Sequence, residues 1–242
     1  MQLLRNISPG KIFLIPTPIG DNQPLEVLPS SISTIINNLN VFLVENEKSA
    51  KRFLAKIGFG NKLDRLTFHL LNKKTPLEKK IEYIQIIQNG INVGIISEAG
   101  TPAIADPGST LIKLAHENKI KIKPIVGPSS IILGLSASGL NGQNFSFIGY
   151  LPIEKTERKR KIKFIENLSH KNKQTQIFIE TPYRNNELVK TLLKTCNPNT
   201  MLCIASAINS QEEKIITLSV EQWKKNQINL HKKPTIFLIH KY

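Results

Sequence analysis

Residues 93–115 constrain the fold more than any other stretch of the chain. A short apolar, largely β-branched run, Val93 to Ile96, breaks into Ser97-Glu98-Ala99-Gly100-Thr101-Pro102-Ala103-Ile104-Ala105-Asp106-Pro107-Gly108, and Ser109 to Ala115 then takes up helical spacing. A strand that opens into a small-residue loop before a helix is where open parallel sheets put their ligands, beyond the carboxyl ends of the strands. Gly100 and Gly108 permit positive φ and close backbone approach, while Pro102 and Pro107 stiffen the loop. The segment reads as a ligand loop, with a tight strand-to-helix connector as the alternative.

The flanking sequence repeats the strand–helix rhythm. Ile12-Phe13-Leu14-Ile15 and Val41-Phe42-Leu43-Val44 are short and β-rich enough to be buried strands, and Leu66 to Leu70 is a weaker one. Between them lie helical patterns over Ser31 to Leu39 and Ser49 to Ile57, the second stopped by Gly58, and Pro76 opens another that Gly90 closes. Alternation of this kind predicts an α/β unit with a parallel sheet covered on both faces. After the strand Ile120 to Ile125, Gly127-Pro128 interrupts the chain, and a second mixed unit follows. It carries a basic helix over Thr156 to Leu168, strands at Phe145 to Gly149, Gln176 to Glu180 and Met201 to Ala205, and two late strands near Ile215 and Ile236. The expected division is residues 1–126 and 127–242.

Composition bounds the partners. Lys and Arg number 33 against 18 acids, a net charge of +15, and the isoelectric point near 9.8 points toward nucleic acid. The run from Lys155 to Lys163 holds Arg158, Lys159, Arg160 and Lys161 with one acid, Glu157. Such a run can neutralise phosphates and release counterions, or it can be a solvated helix face. No apolar run approaches the roughly 20 residues of a membrane span, and Met1 to Lys11 lacks the apolar core of a secretory leader. A cytoplasmic location is expected. Cys196 and Cys203 fit no metal or redox spacing and read as small hydrophobes.

The 97–108 loop resembles the Ser-Asp-Ala-Gly-Thr-Pro signature of the small-subunit ribosomal RNA methyltransferases, within the tetrapyrrole methylase superfamily of S-adenosylmethionine enzymes. Pro16-Thr17-Pro18-Ile19-Gly20, Gly127-Pro128-Ser129-Ser130, Gly149-Tyr150-Leu151-Pro152 and Glu180-Thr181-Pro182-Tyr183-Arg184 resemble that family's other landmarks in the same order. The resemblance implies two α/β domains of the tetrapyrrole methylase type with the cofactor in the cleft between them. It also implies a homodimer and 2′-O-methylation of ribosomal or other structured RNA. By the same resemblance Pro18 and Ile19, then Ser97, Glu98 and Thr101, contact S-adenosylmethionine. Ser129 and Ser130 reach its amino-acid end, and Glu180 and Ile208 flank its adenosine. The first loop does not spell Gly-x-Gly-x-x-Gly, which argues against a pyrophosphate-bearing cofactor.

Methyl transfer from a sulfonium asks chiefly for collinear alignment, but a ribose hydroxyl is a poor nucleophile that a general base would assist. Glu45 matches the acidic position of the family's Ala-Glu-Asp-Thr-Arg block, and Arg184 matches an arginine able to hold a phosphate bidentately. The alternative for these two is an interdomain or intersubunit salt bridge. Serine capping of a helix is the alternative for Ser129 and Ser130, and a turn carboxylate for Glu180. The chain departs from the family's pattern at Glu98, Asn46-Glu47-Lys48, Tyr183 and Ser206 to Ser210. These changes fall mainly on the acceptor side. Methylation of a tetrapyrrole or other small molecule therefore stays open, as does an RNA-binding protein whose acceptor site has decayed.

Overall fold

Successive residues in each inner strand of the first half are apolar and face opposite sides, so the sheet they form needs cover on both. The computed structural model describes residues 8–21 and 23–242. Residues 1–7, most of the segment on which the leader expectation rests, lie outside the described residues, as does Asn22. The chain divides into two units, one through Pro128 and one from Ser129.

In the first unit β1 (Lys11–Ile15) is followed by α1 (Pro24–Val27), α2 (Ile32–Asn37), β2 (Val41–Val44) and α3 (Glu47–Leu54). Then come β3 (Thr67–Leu70), α4 (Leu77–Gln88), β4 (Val93–Ile96), α5 (Ser109–Glu117) and β5 (Lys121–Pro124). All strand pairings are parallel, in the order β3-β2-β4-β1-β5. Ile15, Phe42, Val44 and Ile96 pack on one face with Ile32, Ile36, Phe53 and Leu54 of α2 and α3. Ile12, Leu43, Val93 and Ile95 pack on the other with Ile84, Ile87 and Leu111 of α4 and α5. Each such fully buried side chain contributes roughly 1.5–3 kcal/mol, which pins the register, because a one-residue slip would exchange the two faces. After α3 the chain turns through a π-type segment, Ala55–Phe59, where Gly58 takes φ +95°.

The second unit opens with α6 (Ser130–Ser138), β6 (Phe145–Tyr150), α7 (Lys155–Asn172), β7 (Thr175–Ile179) and α8 (Asn185–Thr195). It closes with β8 (Met201–Ser206), β9 (Lys214–Ser219), α9 (Val220–Lys224) and β10 (Thr235–His240). Its sheet runs β6-β7-β10-β8-β9, with β6 and β7 parallel and the other pairs antiparallel. Ile162, Ile165, Leu188, Leu192 and Trp223 cover one face against Phe178, Phe237 and Ile204. Gly134 of α6 lies over Ala205 and Ile236 on the other.

Both cysteines are buried thiols, and burial together with the Glu166 charge pushes Cys196 up to about 12. Among the described residues no helix is long and apolar enough to cross a membrane.

The basic helix differs from the sequence expectation in one place. Arg158 does not face water with its neighbours. It is 1% exposed and donates to Glu187 of α8 and to the Ile153 carbonyl. The reason is periodicity: position 158 lies one turn before Ile162 and shares the stripe that Ile165 and Ser169 continue. Lys159, Arg160 and Lys163 remain exposed.

Candidate active site

The connection from β1 leads toward β2, and the connection from β4 leads the opposite way, to β5. Because β1 and β4 are neighbours, a topological switch point lies between them, and the crevice beyond their carboxyl ends is the expected ligand position. The loops that leave these two strands are tied together there. Thr17 and Gly100 exchange two backbone hydrogen bonds, of 3.0 and 3.1 Å. The Thr17 hydroxyl donates to the Ser97 carbonyl at 3.4 Å, Ser97 Oγ to the Gly100 carbonyl at 3.4 Å, and Thr101 Oγ1 to the Pro128 carbonyl at 3.3 Å.

Gly100 takes φ +71°, and a Cβ there would stand 3.3 Å from both Ile19 Cγ2 and the Pro128 oxygen. Gly127 is more constrained still, since a Cβ would come within 2.2 Å of Pro16. Farther along the loop Ala103 and Ala105 hold positive φ, 67° and 57°, at a cost of roughly 1–2 kcal/mol each. Strain of this kind concentrates where a ligand is positioned.

Three carboxylates gather beside these loops. Half-buried Glu45 follows β2 directly. Its pKa lies above the ordinary glutamate value because burial disfavours the charge, and the Asp106 and Glu98 charges add to the effect; Lys73 opposes it. Asp106 is itself raised by burial, against the backbone N–H donors of Gly108 and Ala103. Glu98 Oε1 accepts from Ser49 Oγ at 2.8 Å. Among the described residues no three or more His, Cys, Asp or Glu side chains are grouped to hold a metal ion. A cavity of about 510 Å³ opens here, lined by Pro18, Gly20, Ser97 and Glu98 from the loops and by Ser49, Arg52, Phe53 and Lys56 along α3 and its extension.

In the second unit Glu180 follows β7, with its side chain fully buried. Its Oε1 accepts from the Thr181 N–H at 2.7 Å and from Arg184 Nε and Nη2 at 3.0 and 2.7 Å. Its Oε2 is buried with no partner. Glu180 is thus a turn carboxylate and an ion-pair partner together. Arg184 pairs with Glu180 inside its own unit, which is not the interdomain or intersubunit salt bridge considered for it. Ser129 precedes α6 but its side chain makes no capping bond, so the capping role weighed for it is not what its hydroxyl does; Ser130 is the first residue of that helix. Ile208 is buried between Ala207 and Asn209, both at positive φ.

Residues not singled out from sequence are Asp106, Ser49, Arg52 and Lys56. Asp106 carries a readable signal, since an aspartate two residues before a glycine forms an Asx turn, seen in its 2.8 Å bond from the Gly108 N–H.

The family model for tetrapyrrole (corrin/porphyrin) methylases matches residues 33–223. The chain belongs to the tetrapyrrole methylase family. This methylase is 27% identical to the ribosomal RNA small subunit methyltransferase I of Vibrio cholerae over 234 residues, 96% of this chain and 77% of that protein. The protein of the same name from Buchnera aphidicola subsp. Schizaphis graminum is 30% identical over 233 residues, 95% and 78% of the two chains. Solved structures show the same fold. Diphthine synthase matches at TM-score 0.68 and 15% identity, over 96% of this methylase and 90% of that chain. Uroporphyrin-III C-methyltransferase of Thermus thermophilus, complexed with S-adenosylhomocysteine, matches at 0.56 and 14%, over 96% and 98%.

Proposed function

We propose that this methyltransferase takes its methyl group from S-adenosylmethionine and places it on a ribose 2′-oxygen of small-subunit ribosomal or similarly structured RNA. The observation that carries this reading is Glu45, a carboxylate whose burial and like-charged neighbours hold it toward its neutral form beside the switch-point loops. A general base works best when its pKa approaches the working pH, and a hydroxyl acceptor is the kind that needs one. The names of the related proteins supply the RNA, and the +15 charge agrees.

The residues present fit the cofactor. Gly100 leaves a cradle against Ile19 that a side chain would fill, and the unpartnered Glu180 Oε2 suits a donor such as a ribose hydroxyl. Pro18, Ile19, Ser97, Glu98 and Thr101 hold the cofactor from the first unit; Ser129, Ser130, Glu180 and Ile208 hold it from the second. When bound it supplies an electrophilic methyl on a sulfonium. Glu45 takes the hydroxyl proton as the acceptor oxygen attacks. Arg184 positions Glu180 and turns its outer edge toward acceptor phosphate. The exposed face of α7 (Lys159, Arg160 and Lys163, with exposed Phe164 at its edge) gives further phosphate contacts. The enzyme works in the cytoplasm as a homodimer, the commonest closed assembly. Light scattering should report twice the 27.2 kDa chain mass, and a monomer at all working concentrations would remove that part of the reading.

The test is transfer of tritiated methyl from S-adenosylmethionine to 30S subunits and total RNA from a strain lacking the gene, with the modified nucleoside mapped by mass spectrometry. A 2′-O-methyl nucleoside is expected. Label entering a tetrapyrrole and no RNA would overturn the proposal.

A further inference from the structure

The cavity beside the loops has a second wall that the cofactor assignment leaves unused. Ser49, Arg52 and Lys56 follow one another at i, i+3 and i+7, one face of a helix. The helical backbone continues past α3 through Lys56 before it breaks at Ile57 and Gly58. All three line the cavity. Lys51, on the neighbouring face, is neutralised by Glu47 at 2.7 Å. Among the described residues no carboxylate comes within 4.0 Å of Arg52 or Lys56. The cavity's acids are Asp21 and Glu98, both on the loops, and Glu98 is held by Ser49. The lining is therefore divided, with cations on the helix and carboxylates on the loops.

We propose that Arg52 and Lys56 seat a phosphodiester of the RNA acceptor, so that the adjoining ribose hydroxyl lies toward the acidic side of the cavity. The inference rests on the RNA reading above and deepens it by naming where the substrate backbone docks. A divided lining suits an acceptor that carries an anion and a proton-yielding hydroxyl side by side, as a nucleotide does. A polycarboxylate tetrapyrrole offers the anions without the hydroxyl. The volume of about 510 Å³ falls within the range of roughly 300–1,000 Å³ usual for small-ligand sites. Arginine supplies a planar fork matched to phosphate, and lysine adds a point charge.

The experiment compares wild type with Arg52→Gln/Lys56→Gln, and with Arg52→Lys/Lys56→Arg. Three quantities are read: RNA methylation kinetics, RNA affinity across a salt series, and S-adenosylmethionine affinity by calorimetry. In the Gln pair the KM for RNA should rise about 10- to 100-fold, and the salt slope should become shallower by roughly 0.7–0.9 for each phosphate no longer neutralised. Cofactor affinity should not change, and the charge-conserving pair should recover most of the KM. Unchanged RNA KM and salt slope, in an enzyme whose wild type methylates RNA, would overturn this inference and leave the RNA reading standing. A wild type that methylates no RNA would overturn both. A defect confined to a carboxylate-bearing tetrapyrrole would overturn the phosphate assignment.

Discussion

Glu45 and Glu180 occupy matching places, each the first residue beyond a strand's carboxyl end, yet their surroundings are opposite. Glu180 is fully buried and given an arginine and a backbone N–H on one oxygen. Glu45 is only half-buried, and its main electrostatic neighbours are two further carboxylates. A carboxylate with a built-in cation is part of the scaffold and holds a ligand by whatever valence remains. A carboxylate pressed by like charge keeps its affinity for a proton, which is what a base needs. Matching positions in the two sheets thus have opposite electrostatics, and the proposed roles, a base for Glu45 and a ligand carboxylate for Glu180, rest on that difference.

The contrast can be broken in several ways. Gly100→Val sets the baseline, because a branched side chain at φ +71° would crowd Ile19 and Pro128 and fill the proposed cofactor cradle. Calorimetry on the folded variant should find cofactor binding abolished, from an expected wild-type affinity of low micromolar or tighter, about −8 kcal/mol. Glu45→Gln should lower kcat by about 10²- to 10⁴-fold with cofactor affinity intact. Its stability should move the other way. A folded pKa above the unfolded one means that stability is lost as pH rises through that window, so at neutral pH the Gln variant should melt at the same temperature or higher. Melting curves showing a clear drop would mean that Glu45 is structural.

Glu180→Ala should do the reverse and destabilise the second unit by about 2–3 kcal/mol, because it strips a buried carboxylate from its arginine; denaturant titration reads this directly. The smallest effects come from α7. Arg158→Gln should lower Tm by about 2–4 °C and leave the RNA salt slope alone, whereas Lys159→Gln/Arg160→Gln/Lys163→Gln should flatten that slope at unchanged Tm. The opposite pattern would put the buried arginine, and not the exposed face, on the RNA.

What can be read from sequence follows the range over which each feature is decided. The first sheet's strands and the stop at Gly58 are local, and they stand where spacing and β-branching place them. The position of β10 between β7 and β8 depends on pairing across long stretches of chain, which no local pattern encodes. Arg158 misleads for a different reason. Its charge suggests water, although its spacing from Ile162 and Ile165 puts it on the buried stripe. The Glu180–Arg184 pair is not legible either, because residues 180–184 form a turn between β7 and α8, where no helical spacing brings i and i+4 together. Nor is Glu45's raised pKa, because it needs burial by the folded chain first and then Asp106, some sixty residues away, alongside it.

The contrast between the two glutamates is tested most directly by the pH dependence of kcat/KM for RNA methylation in wild type, Glu45→Gln and Asp106→Asn. In wild type the rate should rise through a single acidic limb whose midpoint lies above the ordinary glutamate value of 4.5. Asp106→Asn removes one of the charges that raise Glu45, so its limb should shift to lower pH, and Glu45→Gln should have no such limb. A limb that persists unchanged in Glu45→Gln would contradict the assignment of Glu45 as the base.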